Sequence, residues 1–324
     1  MENRKALVVG IDNYESAPLA GCCNDSAAVS GLLAKHDNGS PNFAVQQINN
    51  IESKSELKTR IIECFAGDAD VALFYFSGHG YIDSVGGYLV TPDFTPNDYG
   101  VSLAEVLTIA NQSTCKEKII ILDCCYSGFA GSICTSGQDT ATICQGVTIL
   151  TASLNSEYAV EVEGHGVFTA LLIEALKGGA ADITGHITAG GIYAFIDKAL
   201  GPWDQRPTFK TNVARFTSLR DVEPQVGIEI IRKLALYFSS DGAEFSLDPS
   251  FEPTNTPDYE FQIVEPYADN ENTRTFADLQ QLESIGLVAP TNEKHMYYAA
   301  MNTGSCHLTP TGKQYWRLVK DGKI

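Results

Sequence analysis

Positive charge is scarce in this chain: 22 Lys and Arg stand against 40 Asp and Glu, leaving a formal charge of −18 over 324 residues. Electrostatic binding to nucleic acid needs a basic footprint that displaces counterions from phosphates, so this composition argues against a nucleic-acid partner. It favours cationic partners instead. No apolar run approaches the roughly 20 residues that span a bilayer. The opening Met1-Glu2-Asn3-Arg4-Lys5 leads straight into a short apolar strand rather than a signal-peptide stretch. Among nine cysteines there is no Cys-x-x-Cys pair, the spacing that would support a structural zinc site. Two pairs are adjacent, Cys22-Cys23 and Cys124-Cys125, and several others lie inside apolar segments, which fits reduced thiols better than a disulfide framework. The expected location is the cytoplasm, with no membrane partner. Internal repeats and low-complexity tracts are also absent.

What the chain does have is alternation. Apolar runs at Ala6 to Ile11, Val71 to Phe76, Ile119 to Leu122 and Val147 to Leu150 have the length and branching of buried strands. Helical patterns at Ser26 to Leu33, Ser55 to Phe65 and Phe168 to Leu176 fall between them. Such alternation predicts an α/β fold, a mostly parallel sheet sandwiched by helices, with reactive groups gathered at the carboxyl ends of strands.

Two of those strand ends carry chemistry. Phe76-Ser77-Gly78-His79-Gly80 follows one strand, and Leu122-Asp123-Cys124-Cys125-Tyr126-Ser127-Gly128 follows another. A thiol attacks a carbonyl only as the thiolate, so a nucleophilic cysteine needs a neighbouring base, which an imidazole beyond the adjacent strand would supply. Strand alternation puts Cys124 and Cys125 on opposite faces, so only one of them can meet His79.

From about Lys5 to Lys177 the chain resembles caspase-fold cysteine peptidases of the C14 type, closer to metacaspases and bacterial caspase-like proteins than to animal caspases. Ser77-Gly78-His79-Gly80 and Asp123-Cys124-Cys125-Tyr126-Ser127-Gly128 carry the likeness, as does Leu19-Ala20-Gly21-Cys22-Cys23-Asn24-Asp25. Leu150-Thr151-Ala152-Ser153 and Gly166-Val167-Phe168-Thr169 resemble the small-subunit strand and the start of its helix. His79 precedes Cys125 by 46 residues, near the roughly 50-residue offset of caspase-type proteases. The resemblance implies a cysteine endopeptidase with catalytic His79 and Cys125. It implies an oxyanion hole from the backbone N–H groups of Gly80 and Cys125, and a packing role for Cys124.

In metacaspases a pocket for Arg or Lys is built from four positions that correspond here to Cys22, Asp25, Ser77 and Asp123. The resemblance therefore implies protein or peptide substrates with Arg or Lys at the cleavage site. A carboxylate-lined pocket pairs with a cation and repels an aspartate, and no Arg or Lys lies between Lys5 and Lys35 to reverse its sign. Metacaspases often need calcium, and Asp83, Asp93 and Asp98 follow the histidine motif. Because the loop from Gly128 to Gln138 has no acid matching the later family ligand, neither a calcium requirement nor any other metal site is assigned.

The domain boundary is expected at 222/223, with a peptidase domain at 1–222 and a smaller α+β domain at 223–324 that resembles a winged-helix module. Helices are expected at Ile228 to Phe238 and Phe276 to Ile285, a strand at Met296 to Met301, a last helix opening at Leu308-Thr309-Pro310-Thr311-Gly312, and an exposed loop from Asp248 to Tyr267. Winged-helix modules often bind DNA, but from Gly227 onward 14 acidic side chains outnumber 8 basic ones. A sensor or docking role, for a small-molecule activator or a protein partner, fits that charge better. Bacterial proteins of similar layout serve in regulated cell death or antiphage defence. The competing reading is a catalytically silent caspase-fold binding module whose C-terminal domain carries the function.

Overall fold

The computed structural model describes residues 2–124, 132–135, 138–141, 143–152, 161–162, 164–200, 207–258 and 264–324, with backbone alone at 132–135, 138–141 and 161–162. It falls into two compact units, Met1–Glu223 and Pro224–Ile324.

In the first unit β1 (Arg4–Gly10) feeds α1 (Cys22–Ala34) and β2 (Ala44–Asn49), and α2 (Lys54–Phe65) then crosses to β3 (Val71–Ser77). An antiparallel flap of β4 (Gly80–Ile82), β5 (Gly87–Thr95) and β6 (Asp98–Ser102) precedes α3 (Leu103–Gln112) and β7 (Glu117–Asp123). A hairpin of β8 (Ser132–Thr135) and β9 (Gln138–Ala141) leads to β10 (Val147–Thr151). A second hairpin, β11 (Glu161–Val162) with β12 (His165–Gly166), opens α4 (Val167–Glu174). The unit ends with β13 (His186–Thr188), α5 (Ala189–Ala199), β14 (Thr208–Asn212) and β15 (Ser218–Asp221).

Six strands form the main sheet in the order β14-β10-β7-β3-β1-β2, parallel throughout except for the edge strand β14. Its centre is apolar on both faces because both are covered. Leu73 and Tyr75 pack with Val29 and Leu33 of α1, Phe168 and Leu172 of α4, and Ile192 of α5. Phe74 and Phe76 pack with Leu57 and Ile61 of α2 and Val106 of α3. Tyr75, Phe74 and Phe76 are wholly buried, and each such side chain contributes about 1.5–3 kcal/mol. The fold is thus the expected α/β sandwich, set by alternation along strands that have no solvent face.

Local signals fix the helix starts. Ser53 caps α2, and Ser102 with Glu105 forms a reciprocal capping box on α3. The start of α1 is held by Asp12, whose Oδ1 and Oδ2 accept the Cys22 and Cys23 N–H groups at 2.9 and 3.1 Å. Gly10 permits this junction: a Cβ there would lie 2.2 Å from the Cys22 carbonyl oxygen.

The second unit is α+β. It contains α6 (Ile228–Arg232), α7 (Leu234–Tyr237), β16 (Glu244–Ser246), α8 (Asn270–Ser284), β17 (Val288–Pro290), α9 (Met296–Met301), β18 (Ser305–Leu308) and α10 (Pro310–Lys320). Its antiparallel sheet runs β16-β18-β17. The segment Met296–Met301, expected as a strand, is helical. Met296, Ala299 and Ala300 bury themselves at helical spacing while Tyr298 stays exposed, and Ser305–Leu308 supplies the strand instead. Nor is the Pro- and Asp-rich stretch simply an exposed loop. Pro249, Phe251 and Asn255 are buried, and the Asn255 side-chain amide donates to the carbonyls of Pro249, Val264 and Pro266.

Candidate active site

Three parallel strands of the first unit end in one row. Gly10 pairs with Ser77 and Ser77 with Asp123, and β10 ends beside them at Thr151, opposite Leu122. Side-chain alternation puts Ser77 and Asp123 on the face of Tyr75 and Ile121, which α1 and α4 cover. Two helices therefore reach the same row from one side.

From α1 comes Asp25. Its Oδ2 accepts from Ser77 Oγ at 2.9 Å and its Oδ1 from His165 Nδ1 at 2.7 Å. Burial raises its carboxyl above the usual range, while the His165, Ser77 and Gly166 N–H contacts oppose the rise. Cys22, one turn earlier, is a buried thiol whose acidity burial suppresses against a contact from Ser77. From α4 comes Thr169, which donates to Asp123 Oδ2 at 2.6 Å. Tyr75 Oη lies 2.6 Å from the same threonine oxygen. With the threonine proton committed to the carboxylate, the tyrosine must be the donor, giving a chain from Tyr75 through Thr169 to Asp123. Burial pushes the Asp123 carboxyl up to about 6, the Thr169 hydrogen bond pulls it back, and the nearby Asp25 charge adds to the rise. Gly166 closes in here, since a Cβ on it would lie 2.9 Å from Asp123 Oδ2.

His79 sits two residues past Ser77. Its Nε2 lies 2.7 Å from the Ala17 carbonyl oxygen, which can only accept, so in the neutral ring it is Nε2 that carries the proton and Nδ1 that has the lone pair. The Tyr14 ring stands 4.5 Å from the imidazole, centroid to centroid. Tyr14 Oη accepts the His79 N–H at 3.1 Å and donates to the Val90 carbonyl at 3.2 Å. Because Val90 N–H donates to the directly opposed His79 carbonyl, Gly80, one residue on and paired with Leu89, turns its own N–H away from β5.

Cys22, Asp25, Ser77 and Asp123 thus converge, with His79 and Gly80 following directly from the Ser77 strand. Cys125 lies outside the described residues, as do its thiol and its N–H. Cys124 is buried with the apolar side chains of the α2 and α3 face, opposite the pocket. Asp83, Asp93 and Asp98 each have local partners: the Val85 and Gly86 N–H groups, Lys54 N–H with Thr91, and Lys54 Nζ respectively. Among the described residues no three His, Cys, Asp or Glu side chains are placed to hold a metal ion, and no helix is long and apolar enough to cross a membrane. Sequence reasoning did not find His165, Tyr14, Tyr75 or the Ala17 carbonyl. Only His165 left a signal, as a histidine directly before the small-subunit-like Gly166-Val167-Phe168-Thr169. A backbone carbonyl leaves none.

A mostly parallel six-stranded sheet with a histidine just past one central strand and a carboxylate pocket on the same row defines a caspase-fold protein. Residues 3–210 match the model of the caspase domain, Peptidase C14, and the chain belongs to that family. The crystal structure of protein GSU0716 from Geobacter sulfurreducens is similar, with a TM-score of 0.49 and 14% identity over 68% of this chain and 100% of that one. No curated protein matches the sequence.

Proposed function

We propose that the protein is an intracellular cysteine endopeptidase that cleaves after Arg or Lys. The carrying observation is the pair of carboxylates, Asp25 and Asp123, set on adjacent elements beside the strand that presents His79. Among the described residues neither Asp25 nor Asp123 has a lysine or arginine hydrogen-bonded to it, which favours a cation brought by the substrate.

The chemistry follows from the histidine tautomer. His79 Nδ1 takes the Cys125 thiol proton, and the thiolate adds to the scissile carbonyl carbon. The Gly80 and Cys125 N–H groups receive the developing oxyanion. The proton on Nδ1 then passes to the departing amine as the C–N bond breaks, leaving a thioester. Water, deprotonated by the same nitrogen, cleaves the thioester and returns the thiol. Cys125 follows the pocket acid Asp123 by two residues in the sequence.

The second unit is the control element in this reading, a winged-helix-like sensor for a small-molecule activator or a partner protein. A cytoplasmic protease with broad basic specificity needs restraint, and activation would be a population shift driven by differential affinity for the active state. The role assigned is a regulated effector of bacterial cell death or antiphage defence. The test is a peptide-library cleavage profile of the purified full chain, with and without extract of the source cells, together with labelling by a peptide electrophile. Cleavage after Arg or Lys with label on Cys125 is the expected result. Efficient cleavage after Asp would overturn the specificity, and no label under any condition would favour a silent binding module.

A further inference from the structure

The contact between His165 and Asp25 is unusual for a pocket that receives a cation, because it satisfies the acid before substrate arrives. Both Asp25 oxygens are engaged: Oδ2 by Ser77, and Oδ1 by His165 Nδ1 at 2.7 Å, with the Gly166 N–H adding its pull on the carboxylate. A guanidinium makes its strong contacts as a fork onto two carboxylate oxygens. At Asp25 that fork has nowhere to land while all these partners stay.

The partners differ in how firmly they are held. Ser77 ends the central strand β3 and is 2% exposed. The Gly166 amide stands at the start of α4. His165 precedes Gly166 in the two-residue strand β12, which pairs with β11, and its side chain is 26% exposed where that of Asp25 is 2% exposed. Of the groups on Asp25, the imidazole is therefore the one that can leave into solvent. It is also chemically the closest to a guanidinium, a planar ring presenting N–H groups edge-on.

We propose that His165 is a specificity-determining residue of the pocket, an internal ligand of Asp25 that a basic substrate side chain displaces on binding. The proposal rests on reading the pocket as a receptor for Arg or Lys. Its consequence is a competition: a basic side chain gains the Asp25 carboxylate only by giving up the His165 contact, so the histidine holds down the preference for arginine, whereas a neutral side chain of the same shape leaves the imidazole in place. The histidine also gives the buried Asp25 carboxylate a further hydrogen-bond donor while the pocket is empty.

The test uses the full chain and two short peptide aldehydes identical except for a terminal arginine or its neutral isostere citrulline, with affinities measured by calorimetry. Wild-type protein should bind the arginine aldehyde more tightly. In His165→Ala and His165→Gln the arginine-to-citrulline preference should rise about fivefold, the factor one hydrogen bond contributes when it no longer competes. A preference that is unchanged or smaller in both variants overturns the proposal and leaves the basic pocket standing. Absence of any arginine preference in the wild type overturns the pocket reading, and this inference with it. Should neither variant fold, nitrogen-15 spectra of the wild-type imidazoles decide. The arginine aldehyde should shift the His165 Nδ1 signal to that of a solvent-exposed ring while the citrulline aldehyde leaves it in place, and no shift with arginine refutes displacement.

Discussion

Lowering the pH from 7 to 5 should remove most of the preference for a basic residue at the cleavage site. Asp123 carries the argument, because burial holds its carboxyl at about 6, where the ordinary value is 3.8. Its ionised fraction drops from about nine-tenths at pH 7 to about one-tenth at pH 5. If the substrate cation pairs with that carboxylate, the ratio of kcat/KM for an arginine peptide to that for its citrulline counterpart should fall about tenfold over those two units. Taking the ratio cancels every pH effect that both substrates share. Stability should move the opposite way. A carboxyl whose folded value is raised favours the folded state when protonated, so there is no penalty below about pH 4, a growing one as pH climbs through 6, and a plateau near 3 kcal/mol above that. Asp123→Asn should flatten both curves, melting higher than wild type at pH 7.5 while losing the arginine preference at every pH. A wild-type ratio that stays level between pH 5 and 7, or an equal decline in Asp123→Asn, would refute the reasoning.

Other outcomes are expected at positions independent of that titration. Cys125→Ala and His79→Ala should abolish peptide cleavage with the fold intact by circular dichroism, since losing either member of a catalytic unit costs many orders of magnitude; Cys124→Ala, which changes a buried packing thiol, should keep substantial activity. Thr169→Val removes the hydroxyl shared by Asp123 Oδ2 and the Tyr75 hydroxyl, so its denaturation midpoint should fall by the equivalent of about 1–3 kcal/mol. Gly10→Ala places a Cβ 2.2 Å from a main-chain oxygen and should cost about 3 kcal/mol or more, read as loss of soluble folded protein or a much lower melting temperature. Finally, with no Arg or Lys between Lys118 and Lys177, the active protein should show a single intact mass across that region. Two fragments meeting at Asp139 would contradict both this expectation and the basic specificity.

The four central strands were legible because they are buried on both sides, and runs such as Val71 to Phe76 then announce themselves by composition alone, whereas the partly exposed edge strands β2 and β14 were not read as strands. Cys22, Asp25, Ser77 and Asp123 could be proposed as one cluster because each lies in a short motif at a strand end or helix start, where the parallel register brings strand termini level. Met296–Met301 was misread because its two tyrosines suit a strand by preference, whereas packing of Met296, Ala299 and Ala300 settled the helix. Asn255 gave no warning either, since an amide that ties three carbonyls looks like any loop residue in sequence. His165 and Tyr14 escaped for a related reason. Their partners are 140 residues away in one case and main-chain groups in the other, and neither kind of contact writes a local pattern.

The Ala17 carbonyl has a further consequence. The group that decides which imidazole nitrogen holds the proton is part of the main chain, so no substitution at residue 17 deletes it. The side chains from Glu15 to Leu19 can drift without changing the tautomer so long as the backbone keeps its path, which the bond from Leu19 N–H to the Asp12 carbonyl helps to fix. The proton position on His79 is thereby insulated from point mutation and exposed to insertion or deletion. A single residue added between Asp12 and Leu19 would disturb it more than most replacements of the side chains there.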